Sequence, residues 1–566
     1  MKYVLGLSGL YHDSAACLLG DGQVLAAAHE ERFSRLKHDA SLPFRSARWC
    51  LEHAGISPSD LEAVVWYEKP LRKLERMLVS QVTEFPRSWK AFTSGSLNFL
   101  TNKLWVGSHL IKELGIPEDK LLFSDHHQSH AASAFYCSGW DEAAVLTVDG
   151  VGEWSTTGLY RGGSEGLTLL DEIHFPHSLG MVYSAFTAFL GFRVNNGEYK
   201  VMGMAPYGTP RFADKVRQVL RLKPDGSFEV DPTYFSYHWS ATDSTTPAFE
   251  ALFGKPRFPG SPLDFSTEEG QFYADVAASV QVVLEEALLG LARALHERTG
   301  LKRLCMAGGV ALNSVANHRI LTEGPFDELY VQPSAGDAGG ALGAAVWAWT
   351  EVMGGEPPGN LVPGLGQEWS EEATREMYDD LKVKYEVLDE DTLLEKASQD
   401  IADGKVIGWV QGRFEWGPRA LGHRSILADA SRAGMKDHVN ASIKFREAFR
   451  PFAPSVTEDA AHRYFKIPPG GEQPARWMLL VTPTTGDALS PVTHVDGSAR
   501  VQVVPPGSRY HDLIQAVGRR TGHPVVLNTS FNLKGEPIVS SPVQALATFR
   551  RSGMDVLYVG RLRLAK

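Results

Sequence analysis

Residues 3–29 read YVLGLSGLYHDSAACLLGDGQVLAAAH, and this stretch decides the fold of the first part of the chain. Its apolar runs are bounded by polar and glycine-containing turns and predict strands at Tyr3–Ser8, Ser14–Leu19 and Gln23–His29. The Asp21-Gly22 pair between the second and third strands is typical of a two-residue hairpin turn. The stretch therefore predicts a β-meander.

A second meander of the same form is predicted further along the chain. Its strands are Ala144–Val148, Trp154–Tyr160 and Leu167–Ile173, with turns at Asp149-Gly150 and Gly162-Gly163. Two such meanders favour a duplicated α/β unit, in which paired hairpins grip a phosphate or a metal from both sides of a cleft. Two unrelated meanders would give the same pattern, so the residues leave that alternative open.

A long helix is predicted over Thr267–Thr299. Ser266 and Glu269 have the spacing of a capping box, and Gly300 is placed to end the helix. Its apolar residues recur at helical spacing and form one stripe, which indicates core packing. The stripe consists of Phe272, Val276, Val280, Val283, Leu284, Leu288, Leu291 and Leu295.

Two glycine-rich turns each precede a predicted helix, at Gly308-Gly309 and at 336–340. Backbone N–H groups in such turns approach a phosphate or ribose closely, and the helix dipole favours an anion. Tight turns that need a positive φ are the alternative explanation. Two turns, the second containing Asp337, favour a nucleotide cleft.

A metal site is predicted from His126 and His130, which stand four residues apart and share one face of a helix. Asp149 and Asp337 follow in glycine-containing turns and offer carboxylates. Two imidazoles with two carboxylates suit Fe²⁺, Mn²⁺ or Zn²⁺, and the residues do not choose among them.

The Gly- and Pro-rich stretch around residues 354–366 is the best linker in the chain. It suggests a first domain at 1–355, a linker at 356–384 and a smaller α/β domain at 385–566. In the second domain, strands are predicted at Lys405–Val410, Pro524–Asn528 and Val556–Val559.

An anion pocket is predicted in the second domain, because cations there are interleaved with glycine, proline and aromatic residues. A solvated surface with ordinary ion pairs is the alternative. Arginine offers bidentate donors to phosphate or carboxylate, and short polar groups after a buried strand would orient the anion. The residues are Arg419, Arg424, Lys444, Arg446, Arg450, Asn528, Ser530 and Asn532.

The composition indicates a soluble cytoplasmic protein. Its net charge of -11 argues against broad neutralisation of nucleic-acid phosphates, and no apolar stretch is long enough to span a bilayer. The four cysteines form no CxxC pair, which suits a reducing compartment. We therefore expect neither a nucleic-acid nor a membrane partner; a homodimer is compatible with the sequence.

Ten segments in chain order resemble the NodU/CmcH/TobZ carbamoyltransferase family over nearly the whole length. The chain departs from the family pattern at 414–416 and at Ala448, and neither departure removes a proposed ligand. The matching segments are GLYHDSAA (9–16), HEERFSRLKHD (29–39), DHHQSHAASAF (125–135), TVDGVGEW (147–154), NGEYKVMGMAPYG (196–208), AGGVALN (307–313), SAGDAGGALGAA (334–345), GRFEWGPRALGHRSILAD (412–429), KFREAFRPFAPSV (444–456) and NTSFNLKGEPIV (528–539).

The resemblance implies a duplicated actin-like N-terminal domain similar to the tRNA threonylcarbamoyltransferase TsaD, and a C-terminal domain similar to the YrdC synthases. Carbamoyl phosphate and ATP would give carbamoyl-adenylate in the second domain, where the KxR and SxN motifs fall on Lys444 with Arg446 and on Ser530 with Asn532. The first domain would pass the carbamoyl group to a hydroxyl of a small-molecule acceptor, as in antibiotic biosynthesis.

The resemblance also implies ligands in the first domain. The metal ligands would be His126, His130, Asp149 and Asp337, with Fe²⁺ favoured over Mn²⁺ or Zn²⁺, and Mg²⁺ would accompany ATP. His12 is predicted to take the proton of the acceptor hydroxyl, and the alternative is a turn residue that contacts a phosphate or ribose. The nucleotide would contact Gly308, Gly309, Asn313, Glu198 and Lys37.

Two rival functions are open at this point. One is a tRNA threonylcarbamoyltransferase, which the acidic balance disfavours, and the other is a non-catalytic actin-fold nucleotide-binding module. The acceptor also stays open. The aromatic segment Trp66–Lys112 predicts an acceptor cleft, although helix packing explains its aromatic residues equally well.

Overall fold

The structure is a computed structural model that describes the backbone of residues 1–566 and all side chains except those at positions 96–98 and 102. It divides into a first unit, Met1–Ala26 with Ala40–Leu361, and a second unit, Ala27–Asp39 with Val362–Lys566. The units part inside the stretch predicted as linker. Residues 27–39, which the sequence division placed in the first domain, belong to the second unit.

The first sheet is built from the first meander and two later strands. Its order is β3-β2-β1-β4-β5, with β1 antiparallel to β2 and parallel to β4. These strands are β1 (Tyr3–Ser8), β2 (Ala15–Gly20), β3 (Gln23–His29), β4 (Leu61–Trp66) and β5 (Leu121–Phe123).

The second sheet repeats this plan. Read from β8, its order is β8-β7-β6-β11-β12, with β6 antiparallel to β7 and parallel to β11, while β9 and β10 pair separately. The same strand order in both sheets confirms the duplicated actin-like fold. The strands are β6 (Ala143–Val148), β7 (Ser155–Gly163), β8 (Gly166–His174), β9 (Leu220–Leu222), β10 (Phe228–Val230), β11 (Arg303–Ala307) and β12 (Glu328–Val331).

Twelve of the first thirteen α-helices lie in the first unit, and α1 (Glu31–Ser34) lies in the second. The first-unit helices are α2 (Phe44–Ala54), α3 (Pro70–Thr83), α4 (Trp89–Asn98), α5 (Val106–Leu114), α6 (His126–Phe135), α7 (Leu179–Phe189), α8 (Glu198–Met204), α9 (Ala213–Val219), α10 (Pro247–Phe253), α11 (Glu268–Thr299), α12 (Ser314–Glu323) and α13 (Asp337–Trp347).

Helix α11 corrects one prediction and confirms another. Its N-cap is Thr267, whose side chain accepts a hydrogen bond from the Gly270 N–H at 3.0 Å, whereas Ser266 bonds to Asp264 instead. Gly300 ends the helix in the left-handed conformation, with φ 66°, as predicted. The predicted apolar stripe is buried apart from Phe272, which is half-buried.

Two glycines bring α13 close to its neighbours. A Cβ at Gly6 of β1 would lie 1.9 Å from the carbonyl oxygen of Ala341, and one at Gly343 would lie 1.7 Å from the carbonyl oxygen of Ser129 in α6. No larger residue fits at either position without moving α13. The contacts fix the first residue of α13, Asp337, beside the start of α6.

The second unit has a mixed sheet in the order β13-β22-β21-β14-β15-β20-β16-β19, while β17 and β18 pair separately. Its strands are β13 (Glu386–Val387), β14 (Ile407–Val410), β15 (Arg424–Asp429), β16 (Ala453–Thr457), β17 (Val481–Pro483), β18 (Ser498–Arg500), β19 (Gln502–Val504), β20 (Val525–Ser530), β21 (Val556–Val559) and β22 (Leu562–Ala565).

Helices α15 and α19 pack on this sheet around a core that includes Trp409, Leu427 and Tyr558. The α/β class predicted for this part of the chain is confirmed. Its remaining helices are α14 (Glu371–Asp380), α15 (Glu390–Ala402), α16 (Met435–Val439), α17 (Ala461–Tyr464), α18 (Glu472–Arg476), α19 (Arg509–Thr521) and α20 (Pro542–Arg550).

Helix α1 is tied to the C-terminal part of the second unit by hydrogen bonds. Arg35 donates to the carbonyl oxygens of Ile538 and Pro537 at 2.7 and 2.8 Å, and the hydroxyl of Ser540 donates to the carbonyl of Arg32 at 2.8 Å. The early segment is thus an integral part of this unit. Among the described residues, no helix has both the length and the apolar character needed to cross a bilayer.

Candidate functional site

The two predicted histidine ligands lie together at the start of α6. His126 is the first residue of the helix and His130 follows one turn later, so both rings project from one face. Their Nε2 atoms are 3.1 Å apart, and both side chains are buried. The Nε2 of His126 lies 3.2 Å from Oδ2 of Asp149, at the end of β6.

Two carboxylates complete this cluster. Asp149 is held by the glycine turn after β11, since its Oδ1 accepts a hydrogen bond from the Gly309 N–H at 2.7 Å. The Oδ1 of Asp337 lies 3.7 and 3.8 Å from the Nε2 atoms of His126 and His130. The ligand atoms of all four residues lie within 4.8 Å of one another.

The donor set fits a divalent first-row metal ion. Two imidazole nitrogens and two carboxylates converge in a buried position, and Oδ1 of Asp337 has no hydrogen-bond partner among the described residues. A buried carboxylate oxygen without a partner is unfavourable unless a cation binds it. The four predicted ligands are therefore brought together by the structure as a group that could bind a metal.

The side chains of this cluster shift one another's pKa values. Burial lowers the pKa of His126, but the carboxylates of Asp149, Glu68 and Asp337 outweigh burial and raise it to about 10. The pKa of His130 is raised for the same reason, against the effect of burial. Burial raises the pKa of Asp149, yet its contacts with the two histidines outweigh this and hold it well below the usual value.

His12 lies beside this cluster. Its Nδ1 is 3.0 Å from Oδ2 of Asp13, and its Nε2 is 3.9 Å from Oδ2 of Asp337. Burial lowers the pKa of His12, but Asp337 and Asp13 outweigh burial and raise it to about 9. A cation on Asp337 would remove the main attraction and return the ring towards its neutral form, which can accept a proton.

Four of the predicted nucleotide residues, Gly308, Gly309, Asn313 and Glu198, lie in the first unit. Gly308 has φ 93° and passes so close to β6 that a Cβ would lie 2.2 Å from the Val148 carbonyl oxygen. Asn313 caps α12 by accepting a hydrogen bond from the Ala316 N–H at 3.1 Å. Glu198 begins α8 and accepts a hydrogen bond from the Ser184 hydroxyl at 2.9 Å. Contact with a nucleotide stays a prediction for all of them.

The KxR and SxN motifs meet in the second unit. The buried Nζ of Lys444 donates to Oδ1 of Asn532 and to the carbonyl of Ser530, both at 2.8 Å. The Nε of Arg446 donates to Oδ1 of Asn440 at 3.0 Å, and its guanidinium lies 4.1 Å from the centre of the Phe452 ring.

The electrostatics of this pocket are strongly positive. Burial lowers the pKa of Lys444 well below its usual value, and repulsion from Arg446, Arg450 and Lys37 lowers it further. Lys37 thus belongs to the second unit and acts on this pocket. The prediction that Lys37 contacts the same nucleotide as Gly308 and Gly309 therefore joins residues of two different units.

Arg500 is a member of the pocket that sequence reasoning missed. Burial lowers the pKa of Arg500 far below its usual value, and Arg419, Arg446 and Arg450 lower it further by repulsion. Its Nε has no hydrogen-bond partner among the described residues. The local sequence carries no signal for this role, because a lone arginine at the end of a short strand (β18) is common.

Two other predicted ligands of the second unit are engaged in structural contacts. Arg424 donates to the backbone carbonyls of Gln411 and Gly412 at 2.9 and 3.0 Å. Asn528 donates to the carbonyl of Ala420 and to the hydroxyl of Ser455. These contacts hold the segment that carries Arg419 against the sheet, and a ligand role for either residue stays a prediction.

Comparison with known proteins covers both units. Residues 3–346 match the family model Carbamoyltransferase N-terminus, and residues 398–566 match Carbamoyltransferase C-terminus. The chain is 44% identical over 607 residues to the uncharacterized protein sll1178 of Synechocystis, covering 100% of this chain and 97% of that protein. It is 39% identical over 573 residues to the nodulation protein NolNO of Sinorhizobium fredii, covering 98% of this chain and 79% of that protein.

Among solved structures, the chain is similar to HypF of T. kodakarensis. The likeness covers 62% of this chain and 48% of that chain, at 14% sequence identity and a TM-score of 0.33. A likeness of this degree carries no inference about activity.

Proposed function

Because the chain belongs to the carbamoyltransferase family, we propose that it is an ATP-dependent O-carbamoyltransferase acting on a hydroxyl of a small-molecule acceptor. One observation carries the proposal: a histidine–aspartate metal cluster in the first unit accompanies a buried cation pocket with intact KxR and SxN motifs in the second. Two separate sites suit a reaction with an activated intermediate, which must be formed and then used.

The second unit would activate the carbamoyl group. Carbamoyl phosphate is hydrolysed to carbamate and phosphate, and a carbamate oxygen then attacks the α-phosphorus of ATP with loss of pyrophosphate. Lys444, Arg446 and Arg500 would neutralise the anionic reactants and the leaving pyrophosphate, with Mg²⁺ accompanying ATP. Carbamate is a poor electrophile, and adenylation provides it with a good leaving group.

The first unit would transfer the group. The acceptor oxygen forms a bond to the carbamoyl carbon while the bond from that carbon to the AMP oxygen breaks, and AMP leaves. His12, beside Asp337, is placed to take the proton of the acceptor hydroxyl, and Asp13 orients its ring through Nδ1. A divalent ion held by His126, His130, Asp149 and Asp337 would supply Lewis-acid stabilisation of developing negative charge.

The proposal is tested by incubating the protein with ATP, carbamoyl phosphate and a library of hydroxyl-bearing acceptors. We expect pyrophosphate release that depends on carbamoyl phosphate, and an acceptor that gains the mass of one carbamoyl group. The double variant Lys444→Met/Arg446→Met should release no pyrophosphate. Lys534→Met, which changes an exposed lysine in the segment after β20, is the matched control. Pyrophosphate release that persists at full rate in the double variant would contradict the proposal.

A further inference from the structure

Three cations lie close together in the part of the first unit between β4 and β5. They are Lys73 and Arg76 on α3 and Lys103 at the end of the π-helical turn Phe99–Lys103. Lys73 and Arg76 are each only 8% exposed. Their burial is unusual, because lysine and arginine are seldom buried unless they are paired.

The cluster has too few acidic partners. Lys73 forms an ion pair with Glu68, with 2.6 Å between Nζ and Oε2. Arg76 and Lys103 make no ion pair among the described side chains, and Nε of Arg76 has no hydrogen-bond partner there. The guanidinium of Arg76 instead lies 5.0 Å from the centre of the Phe175 ring.

Burial and mutual repulsion also disfavour the charged forms of these cations. Burial lowers the pKa of Lys103, and repulsion by Lys73 adds to this, so that it falls to about 8. Burial likewise lowers the pKa of Arg76 to about 10, against the attraction of Glu68. A buried cation without an ion pair, such as Arg76, is unfavourable, so binding of an anion beside it would be favoured.

The cluster borders on the proposed transfer site. The Nζ atoms of Lys73 and Lys103 lie 5.7 and 6.0 Å from the centre of the Tyr11 ring. That ring lies 4.6 Å from the ring of His12, which faces Asp337. Tyr11 is 41% exposed, so a ligand can reach it from solvent.

We propose that Arg76 and Lys103 form an anion-binding subsite beside Tyr11, and that the acceptor carries a carboxylate, sulfate or phosphate group that binds there. This inference depends on the carbamoyl transfer proposed above and adds a binding site for the acceptor. It holds the acid group of the acceptor while a hydroxyl reaches His12. The planar fork of Arg76 matches two oxygens of such a group, and Lys103 adds a point charge.

Isothermal titration of the 566-residue chain with inorganic sulfate tests whether the subsite exists. Because the cation pocket of the second unit is also proposed to bind anions, all proteins are compared in the Lys444→Met/Arg446→Met background. Adding Arg76→Met/Lys103→Met should remove a sulfate site or weaken it at least about tenfold. The matched control Arg72→Met/Lys90→Met changes two exposed cations of the same region and should leave the isotherm unchanged.

If the variant and its parent give superimposable isotherms, the subsite does not exist. Lys103→Gln alone, at a half-buried position, is a second test in case the double variant folds poorly, and it should weaken sulfate binding in the same direction.

A competition experiment distinguishes two possible anions at the subsite, the phosphate of the nucleotide and the acid group of the acceptor. If AMP displaces sulfate from the first unit, the subsite binds the nucleotide phosphate, and the assignment to the acceptor is wrong. If AMP and sulfate bind together while glucuronate competes with sulfate and glucose does not, the assignment holds.

Pyrophosphate release by Arg76→Met/Lys103→Met with the second unit intact should equal that of the wild type. If the wild type itself releases no pyrophosphate, the proposed function is wrong, whatever the sulfate titrations show.

Discussion

At the scale of single residues, the proposed metal site leads to a direct prediction about His130. This side chain is fully buried, and its Nε2 faces Asp149, Asp337 and His126. His130→Ala should remove the bound metal and lower carbamoyl transfer at least about a hundredfold, while carbamoyl-phosphate-dependent pyrophosphate release continues. Metal analysis and the two activity assays check this. His127→Gln, on the same helix but bonded to Thr147, should keep its metal.

Metal uptake should depend on pH with a definite sign. The pKa of His126 is raised to about 10, so its ring binds a proton at neutral pH when no metal is present, and the pKa of His130 is raised in the same direction. A metal must displace the proton on His126, so its affinity should increase as the pH rises from about 6 to about 9. Calorimetry in buffers of different ionisation enthalpy counts the released protons. An affinity independent of pH over this range would show that the histidines are neutral.

At the scale of elements, the glycine contacts of α13 can be tested separately from the ligands. Gly343→Ala should push α13 from α6, destabilise the first unit by about 1–3 kcal/mol and weaken metal binding, because Asp337 begins the displaced helix. Denaturant unfolding and metal titration measure the two effects. Gly163→Ala is the control, since an added Cβ there meets no atom within 4 Å.

In the second unit, Asp400 on α15 joins the helix to the sheet. Its carboxylate accepts hydrogen bonds from Lys405, Tyr558 and Arg563 at 2.7, 2.6 and 3.0 Å. Burial raises the pKa of Asp400, but these partners outweigh burial and lower it below the usual value. Its contribution to stability is therefore present above the unfolded-state pKa and is lost as the pH falls through the folded-state pKa.

Asp400→Asn should accordingly destabilise the second unit at pH 7, by about 3 kcal/mol. The difference from the wild type should shrink as the pH falls below the unfolded-state pKa of about 4, because the carboxylate is then protonated first in the unfolded state and, at lower pH, in the folded state. Chemical denaturation at several pH values measures both quantities. A constant difference across this range would assign the effect to packing and not to charge.

The elements whose patterns are local were predictable, and those that depend on distant residues were not. The strands Tyr3–Ser8, Gln23–His29 and Val556–Val559 were predicted with their observed bounds, because alternation and turn residues are local signals. The cap of α11 was misplaced by one residue, since Ser266 and Thr267 are both good caps and only the loop geometry chooses between them.

The same distinction holds for the sites. The four predicted metal ligands stand in recognisable motifs, and the structure brings them together as a group that could bind a metal. Arg500, and Arg76 with Lys103, carry no motif, and their proposed roles depend on other cations that the fold places beside them. A single sequence does not show such convergence, because the charges come from separate segments.

At the scale of the whole molecule, the two sites should be separable by supplying the intermediate. Lys444→Met/Arg446→Met should fail to transfer a carbamoyl group from carbamoyl phosphate and ATP. It should recover transfer when chemically prepared carbamoyl-adenylate is added, because its metal cluster is unchanged. His130→Ala should show no such recovery. Product mass spectrometry measures both, and failure of the first rescue would mean that the second unit also takes part in transfer.

The membership of residues 27–39 in the second unit has a consequence for biosynthesis. Arg35 and its acceptor Ile538 are separated by 503 positions. At ordinary translation speeds the early segment leaves the ribosome roughly half a minute to two minutes before that partner exists. During this interval residues 27–39 lack their hydrogen-bond partners in the second unit. A fragment starting at Val362 would lack helix α1 altogether. The C-terminal part of the second unit is thus completed by a segment that is synthesised before most of the first unit.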